Sequence, residues 1–206
     1  MSYPPDRSVS DRPLSTPLSR RSVVAAGGGL AATTLAGCLG GSTADNEVPA
    51  PISLDEEQAC DECAMIIQDY PGPTGQIYFE SIPDGRDGPA WFCSGICAYV
   101  YRFNRVAEGA QPIVTYLTDY SSIEYELSDD SSPFISAAVA ADTFAPESEL
   151  FGVVGSDVRG AMGADVIPFS DRSDAESFAA AHGGTVRKAS DIDRDLVDGI
   201  KAQSTL

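Results

Sequence analysis

Four cysteines constrain this chain more than any other feature of its sequence. Cys60, Cys63, Cys93 and Cys97 form the pattern C-x2-C-x29-C-x3-C. A C-x2-C pair on a turn lets two sulfurs reach one metal ion. The second pair is spaced by four residues at the predicted start of a helix, so both of its side chains lie on one helix face. The pattern predicts that a strand end and a helix start bring the two pairs together.

Three kinds of site fit this pattern. One is a structural zinc site with four cysteine ligands. Another is one or two disulfides, because exported proteins meet oxidising conditions. The third, which we favour, is a Cu(I) site that uses some of the thiols. The spacing alone does not separate zinc from copper.

Two methionines favour copper. Met65 follows Cys63 by two residues, so in a strand both side chains would point to one face. Met162 lies between small residues in the segment RGAMGA at 159–164, which is typical of a loop surface. A thiolate and a thioether are soft ligands that suit Cu(I) and suit zinc poorly. The alternatives are that Met65 fills the core and that Met162 packs beneath its loop.

His182 is the only histidine in the sequence. It ends a predicted helix, where a positive charge interacts favourably with the helix dipole. A role as a metal ligand or in proton release is the alternative. With one histidine and no acid pair at a suggestive spacing, the sequence shows no machinery for hydrolysis. We therefore predict a binding protein and not an enzyme.

The charge balance excludes one class of partner. The chain has 13 Lys and Arg against 31 Asp and Glu, a formal net charge of −18. Binding to nucleic-acid phosphates needs a basic surface, so we expect no nucleic-acid partner. An acidic surface favours solubility at high salt and suggests a salt-loving, halophilic host.

The first 37 residues are predicted to be an export signal. A twin-arginine pattern, SRRSVV at 19–24, precedes an apolar stretch from Val23 to Ala36. That stretch is too short to span a membrane, which takes about 20 residues. Leu35-Ala36-Gly37-Cys38 resembles a lipoprotein box, in which the chain is cut before Cys38 and this cysteine carries lipid. An ordinary signal with an incidental cysteine is the alternative.

The prediction is therefore an exported protein, lipid-anchored to the membrane on its periplasmic or cell-surface side. Residues 38–53 are rich in small and polar residues and are predicted to be a flexible tether between the anchor and the folded part.

The remaining chain alternates strands and helices in the manner of an α+β fold. Hydrophobic patterns and turn residues predict strands at 64–67, 76–79, 90–92, 112–117, 150–154, 165–169 and 185–187. They predict helices at 94–106, with an apolar stripe of Ile96, Val100 and Phe103, and from a capping box at 173–176 to His182. We expect one domain at 54–190, with related halves at about 54–118 and 119–190. Residues 191–206 are predicted to be a tail or a weak, exposed helix.

Several segments resemble the NosL family of nitrous oxide reductase accessory proteins. The likeness extends from about residue 58 to 190. It is carried by CDECAM at 60–65, YPGPTGQI at 70–77, WFCS at 91–94, MGADVIPF at 162–169, DAESF at 174–178 and HGG at 182–184.

The resemblance implies a lipoprotein that binds Cu(I) and helps to load copper into nitrous oxide reductase during denitrification. The implied partner is that enzyme or its copper-loading ABC-type transporter. The implied fold is α+β, with two small ββαβ-like units. The implied Cu(I) ligands are Cys63, Met65 and Met162.

The sequence departs from the family pattern at two positions. Ala64 stands where the family usually has glycine, which should stiffen the turn without blocking binding. Cys97 adds a fourth thiol, so the first unit is similar to treble-clef domains. This keeps open a zinc or mixed site that uses Cys60, Cys93 and Cys97.

Two rival functions follow from these thiols. One is a structural or interaction module that binds Zn(II) in order to fold. The other is a thiol–disulfide oxidoreductase that uses Cys60 and Cys63, although the thioredoxin-like βαβ surroundings are missing from the sequence.

Overall fold

The computed structural model describes residues 48–82 and 85–203, which belong to one compact unit. The predicted export signal, the predicted lipid-carrying Cys38 and residues 39–47 of the predicted tether lie outside the described residues. The described residues form seven strands and three α-helices. None of these helices is both long and apolar enough to cross a bilayer.

The first half forms a four-stranded antiparallel sheet with one helix. Its elements are β1 (Gly75–Phe79), β2 (Ala90–Phe92), α1 (Gly95–Ala107), β3 (Pro112–Thr118) and β4 (Phe144–Pro146). The strand order is β2-β1-β3-β4, and every neighbouring pair is antiparallel. β1 is therefore central within its ββαβ unit, and the chain enters α1 directly from the β2 edge.

The second half repeats this arrangement. Its elements are β5 (Phe151–Gly160), β6 (Gly163–Phe169), α2 (Arg172–His182) and β7 (Thr185–Lys188), followed by α3 (Arg194–Gln203). The strand order is β6-β5-β7, again with the first strand in the centre and antiparallel neighbours. The predicted α+β fold with two ββαβ units is confirmed.

The second sheet joins the two halves because both of its faces are buried. Val153 and Ile167 pack with Phe178 in one core. Their sequence neighbours Val154 and Val166 pack in the other core, with the first sheet and α1. Side chains of successive strand residues point to opposite faces, so β5 and β6 supply both cores at once.

The predicted apolar stripe of α1 is confirmed. Ile96 and Val100 are buried, and Phe103 packs against the same core while remaining partly accessible. Burial of an aliphatic or aromatic side chain contributes about 1.5–3 kcal/mol, so this face fixes α1 firmly to the first sheet. The helix that carries Cys97 is consequently a rigid part of the molecule.

The C-terminal helix α3 is more strongly attached than the sequence suggested. Val197 and Ile200 are 1% and 3% exposed and belong to the core shared with α1. Their spacing of three residues places them on one helix face. A helix does form here, but the prediction that it is exposed was wrong, because the Val197 and Ile200 side chains pack against α1.

Two local predictions were also wrong. No strand forms at 64–67, because Ala64 has a left-handed backbone (φ 61°), Ile66 makes a single bridge to Ala59, and a 3-10 turn begins at Ile67. Helix α2 begins at Arg172, ahead of the predicted capping box. Its N-cap is Asp171, whose side chain accepts the backbone N–H of Ser173 at 2.7 Å.

The end of the predicted tether lies against the first sheet. The Gln76 side chain accepts from the Ile52 N–H at 3.0 Å and donates to the Ile52 carbonyl. The Tyr78 and Tyr116 hydroxyls donate to the carbonyls of Ala50 and Pro49 at 2.8 and 2.9 Å. Residues 49–52 are thus bound to the folded unit.

Candidate metal centre

The first cysteine pair lies on a tight turn ahead of β1. The Cys60 N–H donates to the Met65 carbonyl and the Ala64 N–H donates to the Cys60 carbonyl, both at 2.8 Å. The left-handed backbone of Ala64 lets the chain reverse within these few residues. The turn holds Cys60 in the interior and leaves Cys63 half-buried.

The second pair lies where β2 passes into α1. Cys93 directly follows β2, and Cys97 is in the first turn of the helix. The buried Ser94 is the N-cap, and its hydroxyl accepts the Cys97 N–H at 3.0 Å. This bond satisfies one of the free N–H groups of the first turn and fixes the Cys97 backbone.

Asp61 brings the two pairs together. Its backbone N–H donates to the Trp91 carbonyl at 3.0 Å, and its carboxylate accepts the Trp91 N–H at 2.8 Å. The same carboxylate pairs with Arg86, whose guanidinium lies 4.1 Å from the centre of the Trp91 ring. These contacts attach the turn to β2, two residues before Cys93.

The four sulfurs form one compact cluster, with all four Sγ atoms within 4.8 Å of one another. The Cys63 and Cys93 sulfurs are 3.4 Å apart, and those of Cys93 and Cys97 are 3.9 Å apart. A disulfide bond is about 2.05 Å long, and none joins the described cysteines. Among the described residues this is the one group of Cys, His, Asp and Glu side chains placed to share a metal ion.

The thiols perturb one another's ionisation. Hydrogen bonds from the Cys93 and Cys97 thiols, assisted by backbone N–H groups, hold the pKa of Cys60 well below its ordinary value. The pKa values of Cys93 and Cys97 are raised, chiefly because each thiol donates a hydrogen bond to the Cys60 sulfur. The ionisation of these thiols is therefore coupled, and a nearby cation would favour their thiolate forms.

A pocket of about 230 Å³ opens beside the cluster. Its lining combines sulfur, apolar and charged side chains: Glu62, Cys63, Ile96, Cys97, Val100, Met162 and Lys201. Burial raises the pKa of Glu62, while the Lys201 ammonium acts in the opposite direction. The pocket thus brings a methionine from the second half to two cysteines of the first.

Met162 is presented at the tip of the β5–β6 hairpin, between the paired residues Gly160 and Gly163, and is 38% exposed. The hairpin packs closely on the turn after the first cysteine pair. A Cβ atom at Gly72 would lie 2.7 Å from the Gly160 Cα, and Gly72 also has a positive φ of 123°. Only glycine permits this close approach, which fixes the position of the tip.

Asp165 ties the same hairpin to the helix of Cys97. Its Oδ1 accepts the N–H groups of Ile96 at 2.9 Å and Val166 at 2.8 Å, so a β6 side chain binds the start of α1. Its Oδ2 has no hydrogen-bond partner. A Cβ atom added at Gly160 would lie only 2.2 Å from this oxygen. Complete burial raises the pKa of Asp165 to about 7, against the opposing effect of backbone N–H groups.

The predicted ligands fall into three groups. The cysteine pairs meet as predicted, and Met162 shares a pocket with Cys63 and Cys97. Met65 belongs to the cysteine turn and is half-buried, but it does not line that pocket. The predicted strand at 64–67, which would have placed the Cys63 and Met65 side chains on one face, does not form.

His182 lies at the end of α2, in the second half. Its ring packs on the Phe178 ring, with centroids 4.8 Å apart. It is not a member of the cysteine cluster. These contacts explain its position in α2, and they connect it to no metal ligand.

Sequence reasoning missed Asp61, Asp165 and Lys201. Asp165 left a signal, because it is the one charged residue in the apolar strand ADVIPF. A carboxylate at such a position is buried only when hydrogen bonds compensate its lost hydration. Asp61 and Lys201 gave no comparable signal, because their contacts depend on where β2 and α3 lie.

The sequence model of the NosL family matches residues 51–197. A relative from Stutzerimonas stutzeri, named copper-binding lipoprotein NosL, is 31% identical over 150 residues, which cover 71% of this chain and 68% of that protein. A relative of the same name from Achromobacter cycloclastes is 33% identical over 149 residues, with coverages of 71% and 69%. Both are named as binding proteins.

A solved structure agrees with these relatives. The crystal structure of the copper chaperone NosL from Shewanella denitrificans is 28% identical to this chain, with a TM-score of 0.54. The match covers 69% of this chain and 95% of that one. It includes nearly the whole of the solved chain, so the two proteins share their fold.

Proposed function

This chain belongs to the NosL family, and we propose that it is a Cu(I) chaperone that binds the ion in the pocket between its cysteine cluster and the β5–β6 hairpin. Cys63, Met65 and Met162 are the proposed ligands. The proposal describes a protein that carries an ion and hands it on unchanged, without catalysing a reaction.

One observation carries the proposal: sulfurs from both halves of the molecule open into the same pocket. Cys63 and Cys97 provide thiol sulfur there, and Met162 provides a thioether. Thioethers bind Cu(I) well. They bind zinc poorly, because zinc prefers thiolate, imidazole and carboxylate ligands, and they bind hard ions poorly, because those prefer oxygen. A methionine at this place therefore favours copper over the commoner metals.

The exposure of the ligands supports transfer. Met162 is 38% exposed on a hairpin tip, and Cys63 is half-buried, whereas the other three cysteines are buried. An incoming protein can reach the two accessible sulfurs and replace them one at a time. Ligand exchange of this kind releases the ion without unfolding the carrier.

Met65 is the least supported of the three ligands. Its carbonyl closes the cysteine turn, and the residue is half-buried. It lies outside the pocket lining, so its thioether must turn toward Cys63 when copper binds. Substitution of each methionine separately decides whether one or two thioethers take part.

The proposed recipient of the copper is nitrous oxide reductase or its copper-loading ABC-type transporter. The resemblance to the family's accessory role supports this choice. The names of the relatives support a lipid anchor, for which Cys38 is the proposed attachment site after export. An anchored carrier would meet its recipient at the outer side of the membrane.

Competition with a Cu(I) chelator tests the copper site. Residues 44–206 form the compact unit and are titrated, reduced, with Cu(I) and in parallel with Zn(II). We expect about one Cu(I) per chain, and Met162→Leu should weaken Cu(I) binding at least tenfold, about 1.4 kcal/mol. Its binding of Zn(II) should stay unchanged, because leucine keeps the apolar contact and removes only the sulfur.

Ile113→Leu is the control, since Ile113 is 47% exposed and lies outside the pocket. If Met65→Leu and Met162→Leu both bind Cu(I) as tightly as the parent, the proposed copper site is wrong. The delivery step is tested separately by mixing copper-loaded protein with metal-free nitrous oxide reductase and measuring copper in each after separation.

A further inference from the structure

The sulfur ligands of the copper pocket do not by themselves exclude zinc. The lining includes the thiols of Cys63 and Cys97, and beside them the half-buried carboxylate of Glu62. Thiolates and a carboxylate are good zinc ligands, so these three side chains could hold Zn(II) without a methionine. The Met162 thioether adds affinity for Cu(I) and leaves those zinc ligands in place. Selection of Cu(I) therefore needs a further feature of the pocket.

The lining also contains a positive charge. Lys201 is in the last turn of α3 and lines the pocket together with Met162 and the two thiols. It is one of only two lysines in a chain that has 31 acidic residues. An ammonium group repels any metal ion that enters the same pocket. A lysine in the lining of a cation carrier therefore calls for an explanation.

The fold holds Lys201 at this place. Its neighbour Ile200 is 3% exposed and packs with Val197 in the core shared with α1. Because α1 also carries Cys97, the helix of Lys201 is docked on a helix of the metal centre. The backbone of Lys201 is thus fixed beside the pocket, and its exposed side chain reaches the lining.

Lys201 also acts on the carboxylate that zinc would use. Burial raises the pKa of Glu62, and the Lys201 ammonium opposes this shift. The two side chains share the pocket lining, so the ammonium attracts the ionised Glu62 carboxylate. A metal ion that bound this carboxylate would have to compete with the ammonium for it.

The charge of the ion decides how much this lysine opposes its binding. For any one set of ligands, the Zn(II) complex has one more positive charge than the Cu(I) complex. The repulsion from a nearby ammonium grows in proportion to the charge of the complex. Lys201 therefore opposes Zn(II) more strongly than Cu(I), whichever of the lining sulfurs take part.

We propose that Lys201 is a specificity-determining residue that excludes divalent ions from the copper pocket. It acts by repelling the more highly charged complex and by attracting the Glu62 carboxylate away from an incoming ion. The inference rests on the proposed copper function, because it concerns the selectivity of the same pocket.

Displacement of Cu(I) by Zn(II) tests this role. The full chain is loaded with Cu(I) in the presence of a competing Cu(I) chelator, and buffered Zn(II) is added until half of the copper has left the protein. Lys201→Gln removes the charge and keeps a polar side chain. We expect it to lower the zinc concentration needed for half displacement at least fivefold. Its affinity for Cu(I) without zinc should change less than threefold.

Two variants control for charge. Lys201→Arg keeps the positive charge and should resist zinc like the parent. Lys188→Gln removes the other lysine, which lies in β7 outside the pocket lining, and should also behave like the parent. The effect of Lys201→Gln should shrink as the salt concentration rises, because salt screens the repulsion. A loss of side-chain packing would not depend on salt in this way.

The parent and Lys201→Gln could resist zinc equally, and that result would overturn the inference. The same conclusion would follow if Lys201→Arg or Lys188→Gln lost as much resistance as Lys201→Gln, or if the loss did not change with salt. In each of these cases Cu(I) binding by the parent would leave the proposed function standing. Failure of the parent to bind Cu(I) without zinc would contradict the proposed function, and the inference with it.

Discussion

The two ββαβ units have the same layout and different chemistry. In both, the first strand lies between the other two, and a buried phenylalanine ends the second strand, Phe92 in one unit and Phe169 in the other. Two residues later comes the helix N-cap, Ser94 or Asp171. The backbone that supports the metal centre is therefore present twice.

The side chains at matching positions decide which unit can bind a metal. Ser170 in the second unit corresponds to Cys93, and Asp174 corresponds to Cys97. The second unit also lacks a cysteine turn before its first strand. In both units the fold supplies a strand end next to a helix start, and the side chains placed there decide whether a metal site is possible.

The units also differ in how firmly their helices are held. Six residues of α1 are buried, whereas α2 buries only Ala175 and Phe178. The helix that carries Cys97 is the fixed one, and the second unit lines the same pocket through Met162 of its hairpin. Three pairs of substitutions test this contrast.

The largest effect is expected from the carboxylate that joins the units. The pKa of Asp165 is raised to about 7 by burial, from an ordinary value near 3.8. The folded protein then holds a proton on Asp165 that the unfolded chain has lost. The free energy of unfolding should fall as the pH rises from about 4 to 7, by up to about 4 kcal/mol for a shift of this size.

Urea unfolding at several pH values measures how the free energy of unfolding changes with pH. Asp165→Asn should remove the decrease between about pH 4 and 7 that Asp165 causes. Subtracting the free energy of unfolding of the variant from that of the parent at each pH removes the contribution of the other acidic groups, which both proteins share. Asp171→Asn is the control. The pKa of Asp171 is lowered by the Ser173 hydroxyl and N–H, so its contribution is present at high pH and lost at low pH. A parent and an Asp165→Asn variant with the same pH dependence would contradict the prediction.

The two N-caps should differ in importance. Ser94→Ala removes the acceptor of the Cys97 N–H in a fully buried setting, at a cost of about 1–2 kcal/mol. Asp171→Ala should cost less, because water reaches the exposed start of α2. Chemical unfolding of both variants checks the order, and equal losses would show that burial of the cap does not matter here.

The smallest effect concerns two left-handed residues. Ala64 has a φ of 61° and Gly155 a φ of 75°, with open space around the glycine. Ala64→Gly should raise the stability of the first unit by up to about 1 kcal/mol, and Gly155→Ala should lower that of the second by a similar amount. Thermal unfolding should show shifts of about 2–4 °C in opposite directions. Shifts in the same direction would rule out backbone strain as the cause.

Much of the fold was predictable from local patterns. Strand β2 and the apolar stripe of α1 occur where alternation and helical spacing placed them. Strands β5 and β6 extend further than predicted, because Val158 and Arg159 continue the hairpin through residues with no clear alternation. The segment after Asp119, which the sequence left undefined, forms mostly irregular chain, with β4 at its end.

Two of the errors show what hydrophobic patterns miss. The strand at 64–67 fails because Cys60 and Met65 close a turn through backbone hydrogen bonds that no hydrophobic pattern reveals. The C-terminal helix was wrongly predicted to be exposed, because two apolar residues, Val197 and Ile200, are enough to pack it against α1. The first contact lies within six residues and the second joins distant helices, and neither is encoded in hydrophobic periodicity.

The donor chemistry follows from the amino-acid sequence alone. Four thiols and two thioethers with their spacing, the acidic charge and the predicted leader are properties of residues and short segments. Such donors favour soft or borderline metal ions. The packing of distant segments set which sulfurs cluster and which are buried, and it placed Met162 in one pocket with Cys63 while leaving Met65 outside that pocket. Distance and exclusion of water depend on strands and helices far apart in the chain, such as Asp165 and Ile96, and no local pattern encodes them.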